Sequence, residues 1–230
     1  MTTIGFIGLG IMGGPMAANL VKAGFDVIGY NRSRDKVDAL IGVGGQGADD
    51  VGGAVRDADI IITMVPDSAD VEAVTTGDDG IFANAKEGAL YIDMSSIRPD
   101  VSARVAEIGR QRGLRVLDAP VSGGEAGAVE ASLSIMVGGE AADFETAKPV
   151  LEAVGKTIVH VGPAGAGQTV KAANQLIVAG NIELVAEAIV FLEAYGVDME
   201  AALEVLGGGL AGSTVLARKG ASMLAGEFSP

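Results

Sequence analysis

The chain has 230 residues, room for one large domain or for one domain plus a smaller one. Hydrophobic residues make up 49% of it and aromatics only 4%, so the core has to be built from Ala, Val, Ile and Leu. A net charge of −14 argues against nucleic acid and an anionic membrane surface as partners, since both need a basic face.

The chain has no cysteine, which excludes disulfides and thiolate metal sites, and its one histidine, His160, leaves little scope for a His-based metal site or a Ser-His-Asp triad. The opening "TTIGFIGLG" lacks the basic flank of a signal peptide. No uninterrupted run of about 18 apolar residues occurs, so a membrane span is not expected. The expectation is a cytoplasmic protein.

The first predicted element is a buried strand, "TIGFIGL" (3–9), followed by a helix over 11–24 with Ala17, Leu20 and Val21 on one face. A strand at 25–30 leads to a helix at 34–44, with Ser33 in position to cap it. Strands follow at 58–66 and 88–95, then an amphipathic helix at 98–113 and strands at 114–123 and 131–139. Strands alternating with helices predict an α/β Rossmann-type, parallel doubly wound sheet. From Ala166 to Tyr195 there is no proline, which predicts one helix of roughly 30 residues, near 45 Å long. Shorter helices are expected at 198–208 and 211–226. The expected division is a dinucleotide-binding domain over 1–163 and an all-helical second domain over 164–230.

Gly8, Gly10 and Gly13 stand in G-x-G-x-x-G spacing between the first strand and the first helix. The first glycine permits the tight turn, the second lets backbone approach a pyrophosphate, and the third allows close helix–strand packing. Gly8, Leu9, Gly10, Ile11, Met12 and Gly13 therefore form the expected cofactor loop. NAD sites usually carry an acidic residue about 20 positions further on. Here that place holds Asn31, followed by Arg32. A 2′-phosphate would meet no carboxylate and would gain a guanidinium donor, so NADP is expected over NAD. Further on, Ser122, Gly123 and Gly124 follow a strand, and their N–H groups and hydroxyl suit a substrate carboxylate.

Three stretches, "GFIGLGIMGGPMAANL", "DAPVSGGEAGAVEASLSIMVGG" and "GAGQTVKAANQ", together resemble the β-hydroxyacid dehydrogenase family. "ITMVP" (62–66), "IDMSSI" (92–97) and "GGLAGSTVLARK" (208–219) fit the same family. The resemblance implies a Rossmann-type domain joined by the long helix to a helical domain, with the active site between them. Carried over by position, it makes Lys171 the catalytic lysine and Asn174 its neighbour, and gives the substrate carboxylate to Ser122, Gly123 and Gly124. Val65, Pro66 and Ser96, with Ser95 as an alternative, would line the nicotinamide half of the cofactor. The implied activity is NADPH-dependent reduction of tartronate semialdehyde to glycerate. The alternatives are oxidation of 3-hydroxyisobutyrate or another short β-hydroxyacid and, in a different class, a non-catalytic NADP-binding module. Two departures stand out. Gln175 occupies a place where the family often has a second asparagine, and the sequence stops at Pro230, where relatives continue through further helices. A truncated second domain is therefore expected. Apolar side chains from Leu203 to Phe228 would then lack cover, and a homo-oligomer is expected.

Lys171 fits the implied role on its own chemistry. It is the only ionisable side chain between Val161 and Ile182. An ammonium in an apolar cleft stabilises a developing alkoxide and donates its proton, and burial lowers its pKa. Asn174 falls on the same helix face three residues later.

Overall fold

The computed structural model describes residues 2–227. The chain begins with β1 (Thr3–Ile7), α1 (Gly13–Lys22), β2 (Asp26–Tyr30), α2 (Arg34–Gly42), β3 (Gln46–Gly47), α3 (Val51–Val55) and β4 (Ile60–Thr63). It continues with α4 (Ser68–Thr76), α5 (Ile81–Asn84), β5 (Leu90–Asp93), α6 (Pro99–Gln111) and β6 (Arg115–Asp118). Next come β7 (Val121–Ser122), α7 (Gly124–Val129), β8 (Leu133–Gly139), α8 (Ala141–Glu152) and β9 (Gly155–Gly162). Three helices follow: α9 (Ala166–Ala194), α10 (Met199–Gly208) and α11 (Thr214–Leu224).

The strands form one sheet in the order β3-β2-β1-β4-β5-β6-β8-β7, with β9 paired to β8. From β3 to β6 every pairing is parallel. Their side chains alternate between two cores. Ile60, Ile62, Leu90 and Ile92 join the cluster under α1 and α2, and Ile61 and Tyr91 join the one that includes α3 and α6 residues. Burial on both faces is why these strands read as continuous apolar runs. Each fully buried aliphatic side chain contributes about 1.5–3 kcal/mol.

The doubly wound sheet is parallel as far as β6, and the pattern changes beyond it. β8 runs antiparallel to β6 and β7 and parallel to β9. A parallel crossover needs a dozen or more residues, and only the ten residues 123–132 join β7 to β8, so that pair turns back on itself. The single strand expected over 114–123 is also broken, between Asp118 and Val121, where Pro120 cannot donate to a ladder. Ser33 holds the N-cap position of α2 but makes no side-chain capping bond, so that expectation is corrected too.

Two compact units divide the chain, Met1–Lys171 and Ala172–Pro230. The first holds the whole sheet and the opening turns of α9. The second holds the rest of α9 with α10 and α11, the latter two capped by the side chains of Asp198 and Ser213. Within it Leu216 is buried and Val205 exposed, and Phe228 lies outside the described residues.

α9 is long and apolar enough, by length and composition, to cross a membrane. Polar residues such as Gln168, Asn174 and Asn181, with Lys171 and Glu183, interrupt its apolar residues, so no unbroken run marks it in the sequence. Length and composition alone do not make a membrane span, and the first turn of α9 is hydrogen-bonded to the sheet.

Candidate active site

The glycine loop separates into positions set by packing and one left open. Gly8 has φ +98° and its N–H donates to Tyr30 O at 3.0 Å, closing the turn after β1. A Cβ on Gly13 would overlap the Gly8 carbonyl oxygen, so only glycine brings α1 this close. A Cβ on Gly10 would meet nothing within 4 Å. The backbone there faces a cavity of about 910 Å³, lined by Gly8, Gly10, Ile11, Met12, Gly13, Asn31, Arg32, Val65, Pro66 and Ser96 among others. The cavity lies past the carboxyl ends of β1, β2 and β4, where doubly wound sheets bind dinucleotides. An open glycine at a helix N-terminus, beside a cavity of this size, fits a dinucleotide's pyrophosphate. Leu9 is the exception: it is buried in the core, and only its N–H serves the loop, donating to Asn31 Oδ1 at 3.0 Å.

At the end of β2, Asn31 is occupied with the backbone, its Nδ2 also donating to Ser33 O at 3.3 Å. The exposed Arg32 guanidinium lies 3.6 Å from Asp70 Oδ1. Exposed pairs of this kind are worth about 0.2–1 kcal/mol, so the guanidinium remains available to an anion. Arg34 is held by Asp38 at 3.1 Å and Asp49 at 2.9 Å. Asp70 and Asp79 also line the cavity. The sequence reading missed both, because nothing in local spacing brings α4 and α5 toward the end of β2.

The loops after β4 and β5 are tied together beneath the same cavity. Ser95 is buried, and its Oγ accepts from Val65 N at 3.0 Å. Its own N–H donates to Asp93 Oδ1 at 3.1 Å. Thr63 also donates to Asp93 Oδ1, at 2.8 Å, and so accepts from Tyr91 OH, 2.8 Å away. Burial raises the Asp93 carboxyl above its ordinary pKa, and its Oδ2 has no partner among the described residues. Ser96, by contrast, is exposed and lines the cavity. Of the two serines, Ser95 builds the loop and Ser96 faces the space.

Ser122 ends β7, and Gly123 (φ +146°) and Gly124 (φ +66°) turn the chain into α7. Lys171 is only 8% exposed, and its Nζ donates to Val121 O at 2.7 Å, one residue before Ser122. Burial pushes its pKa below the ordinary lysine value. The start of α9 is fixed by Asp118, whose carboxylate accepts from Gly165 N at 2.7 Å and Gln168 N at 2.9 Å. Burial raises the Asp118 carboxyl, and these N–H donors pull it back. A Cβ on Gly167 would overlap Met136 O and crowd Asp118, which explains the glycine in "GAGQ". Asn174, later on α9, has a buried Oδ1 with no partner among the described residues, and Gln175 is exposed. His160 is accounted for by packing: it stacks on Phe144 at 5.5 Å and its Nε2 lies 2.7 Å from Gly139 O.

Comparison with known proteins agrees with this geometry. The family model described as the NAD binding domain of 6-phosphogluconate dehydrogenase matches residues 3–162. The one described as NAD-binding of NADP-dependent 3-hydroxyisobutyrate dehydrogenase matches residues 165–230. The chain is 44% identical to 2-hydroxy-3-oxopropionate reductase of Escherichia coli strain K12, over 99% of this chain and 77% of that protein. It is 43% identical to 3-hydroxyisobutyrate dehydrogenase of Pseudomonas aeruginosa, over 90% of this chain and 69% of that one. A solved structure of Mycobacterium tuberculosis 3-hydroxyisobutyrate dehydrogenase with L-serine superposes with a TM-score of 0.90 at 35% identity, covering 100% of this chain and 80% of its own. With the fold, the dinucleotide loop and both family models in agreement, the chain belongs to the β-hydroxyacid dehydrogenase family, enzymes that act on small hydroxy acids with a nicotinamide cofactor.

Proposed function

We propose that the chain reduces tartronate semialdehyde to glycerate with NADPH, and that Lys171 is the general acid. The observation that carries this reading is the buried Lys171 ammonium, donating to Val121 O beside Ser122, with its pKa lowered by burial. When bound, the reduced nicotinamide supplies the hydride. The Ser122 hydroxyl and the N–H groups of Gly123 and Gly124 hold the substrate carboxylate. Lys171 stabilises the alkoxide that develops on the aldehyde oxygen and gives it a proton. Asn174, three residues further along the helix, holds the Lys171 ammonium or a substrate hydroxyl. Residues 1–163 serve as the dinucleotide-binding domain and 164–230 as the helical one, a division supported by the extents of the two family matches. NADPH is preferred because Asn31 stands where NAD sites carry a carboxylate and Arg32 is exposed beside the cavity. The choice of substrate is supported by the 44% identity to the Escherichia coli reductase.

The second reading is oxidation of 3-hydroxyisobutyrate or another short β-hydroxyacid, favoured by the Pseudomonas relative and the Mycobacterium structure with L-serine. The two readings are separated by kcat/KM for tartronate semialdehyde, 3-hydroxyisobutyrate and L-serine, each with NADP and NAD cofactors. A higher kcat/KM on either of the other two substrates would overturn the first reading.

A further inference from the structure

Gln168 is 1% exposed and lies one turn before Lys171 on α9. Its Nε2 donates to Ser95 O at 2.7 Å and its Oε1 accepts from Ile97 N at 3.1 Å. The two bonds bracket Ser96, the one serine of that loop that lines the cavity. Through Ser95 Oγ the same grip reaches Val65, also at the cavity. The helix end that carries Gln168 is itself anchored by Asp118.

We propose that Gln168 is a positioning residue that sets the loop bearing Ser96 at a fixed distance from the helix turn bearing Lys171. The inference rests on the reading above, in which Ser96 and Val65 face the nicotinamide and Lys171 is the acid. A carboxamide suits the place because one side must donate to a carbonyl and the other accept from an N–H. An apolar side chain leaves the buried Ser95 O and the half-buried Ile97 N both unpartnered. An ionised carboxylate sets oxygen against the Ser95 carbonyl, and only a protonated carboxyl restores the donor on one side and the acceptor on the other.

The test measures binding of NADPH and of 2′,5′-ADP, which lacks the nicotinamide half, to the wild type and to Gln168→Leu and Gln168→Glu. NADH and ADP are run in parallel. With Gln168→Leu, NADPH binding weakens by about tenfold, the loss of one charge-free hydrogen bond's worth of order at that end, and 2′,5′-ADP is unchanged within about twofold. Turnover of tartronate semialdehyde falls by about 10²-fold, the usual effect of a misplacement of about 1 Å. Gln168→Glu separates this role from plain core packing. Its NADPH affinity relative to the wild type recovers as pH falls through the pKa of the new carboxyl, which burial raises. Asp93, Asp118 and Lys171 surround the position and titrate in the wild type as well, so the ratio of variant to wild type is the quantity read. Equal weakening of NADPH and 2′,5′-ADP by Gln168→Leu, or a Gln168→Glu ratio that does not change with pH, overturns the proposal. Should the leucine variant fail to fold, the glutamate series decides alone. Failure of the acid reading would appear instead as retained turnover in Lys171→Ala, which keeps Gln168 and its ligand-binding pattern.

Discussion

Replacing Lys171 by methionine separates chemistry from folding, because the two effects are expected to differ in size. General acid catalysis is worth about 10²–10⁴-fold, so kcat falls by that factor, or about 2.7–5.4 kcal/mol in the barrier. The stability change is smaller. Val121 O loses the donor it now has at 2.7 Å, at a cost of about 1–3 kcal/mol for a buried acceptor. Relief of a desolvated ammonium acts in the opposite direction. Burial lowers the folded-state pKa of Lys171, so below that pKa its charge opposes folding, and this opposition fades as pH rises from the folded value toward the unfolded one. At neutral pH methionine removes the opposition and keeps most of the apolar stem, leaving a net change within about 2 kcal/mol. The rate carries the same signature. Reduction needs the protonated amine, so its kcat falls as pH rises through the lowered pKa, below the ordinary value of about 10.4, and oxidation shows the mirror dependence. The measurements are kcat against pH in both directions and urea unfolding of wild type and variant. A variant with near-normal kcat, or one that keeps the pH limb, would refute the assignment of Lys171 as the acid. A loss of stability as large as the loss of rate would reduce its role to packing.

The remaining predictions concern the cofactor. Gly10→Ala leaves the fold intact, since its Cβ meets nothing within 4 Å, yet abolishes dinucleotide binding; Gly13→Ala lowers the melting temperature as well, because its Cβ overlaps Gly8 O. Thermal melts with and without NADPH distinguish the two, and equal destabilisation by both would refute the division between open and packed glycines. Arg32→Ala weakens NADPH by roughly 10- to 150-fold, the worth of a hydrogen bond to a charged group, and NADH much less. Asp70→Asn frees Arg32 from its partner at 3.6 Å and removes a carboxylate from the cavity, so the preference for NADPH over NADH rises by up to about fivefold. Titrations that give equal changes for both cofactors would show that neither residue meets the 2′-phosphate.

Much of the architecture was written in local pattern. Fully buried strands such as Ile60–Thr63 and Leu90–Asp93 read as unbroken apolar runs, and the absence of proline across 166–195 gave α9 almost to the residue. The glycine spacing after β1 marked the dinucleotide loop, and a single charge in an apolar stretch marked Lys171. Elements whose signal was weak or contradictory went unseen. α8 carries Pro149 within it, β9 is half exposed, and α3, α5 and α7 are too short to show a period. Whether β8 would run parallel or antiparallel was not written in its own residues, because direction depends on the length of the connection that precedes it. The contacts that assemble the site lie further from local reach. Lys171 meets Val121 across 50 residues of chain, Gln168 meets Ser95 across 73, and Arg32, in the loop after β2, meets Asp70 on α4. Periodicity and spacing report which face of an element is buried. A hydrogen bond between residues so far apart in sequence depends on how the strands are ordered and where their ends converge, and only the folded sheet decides that.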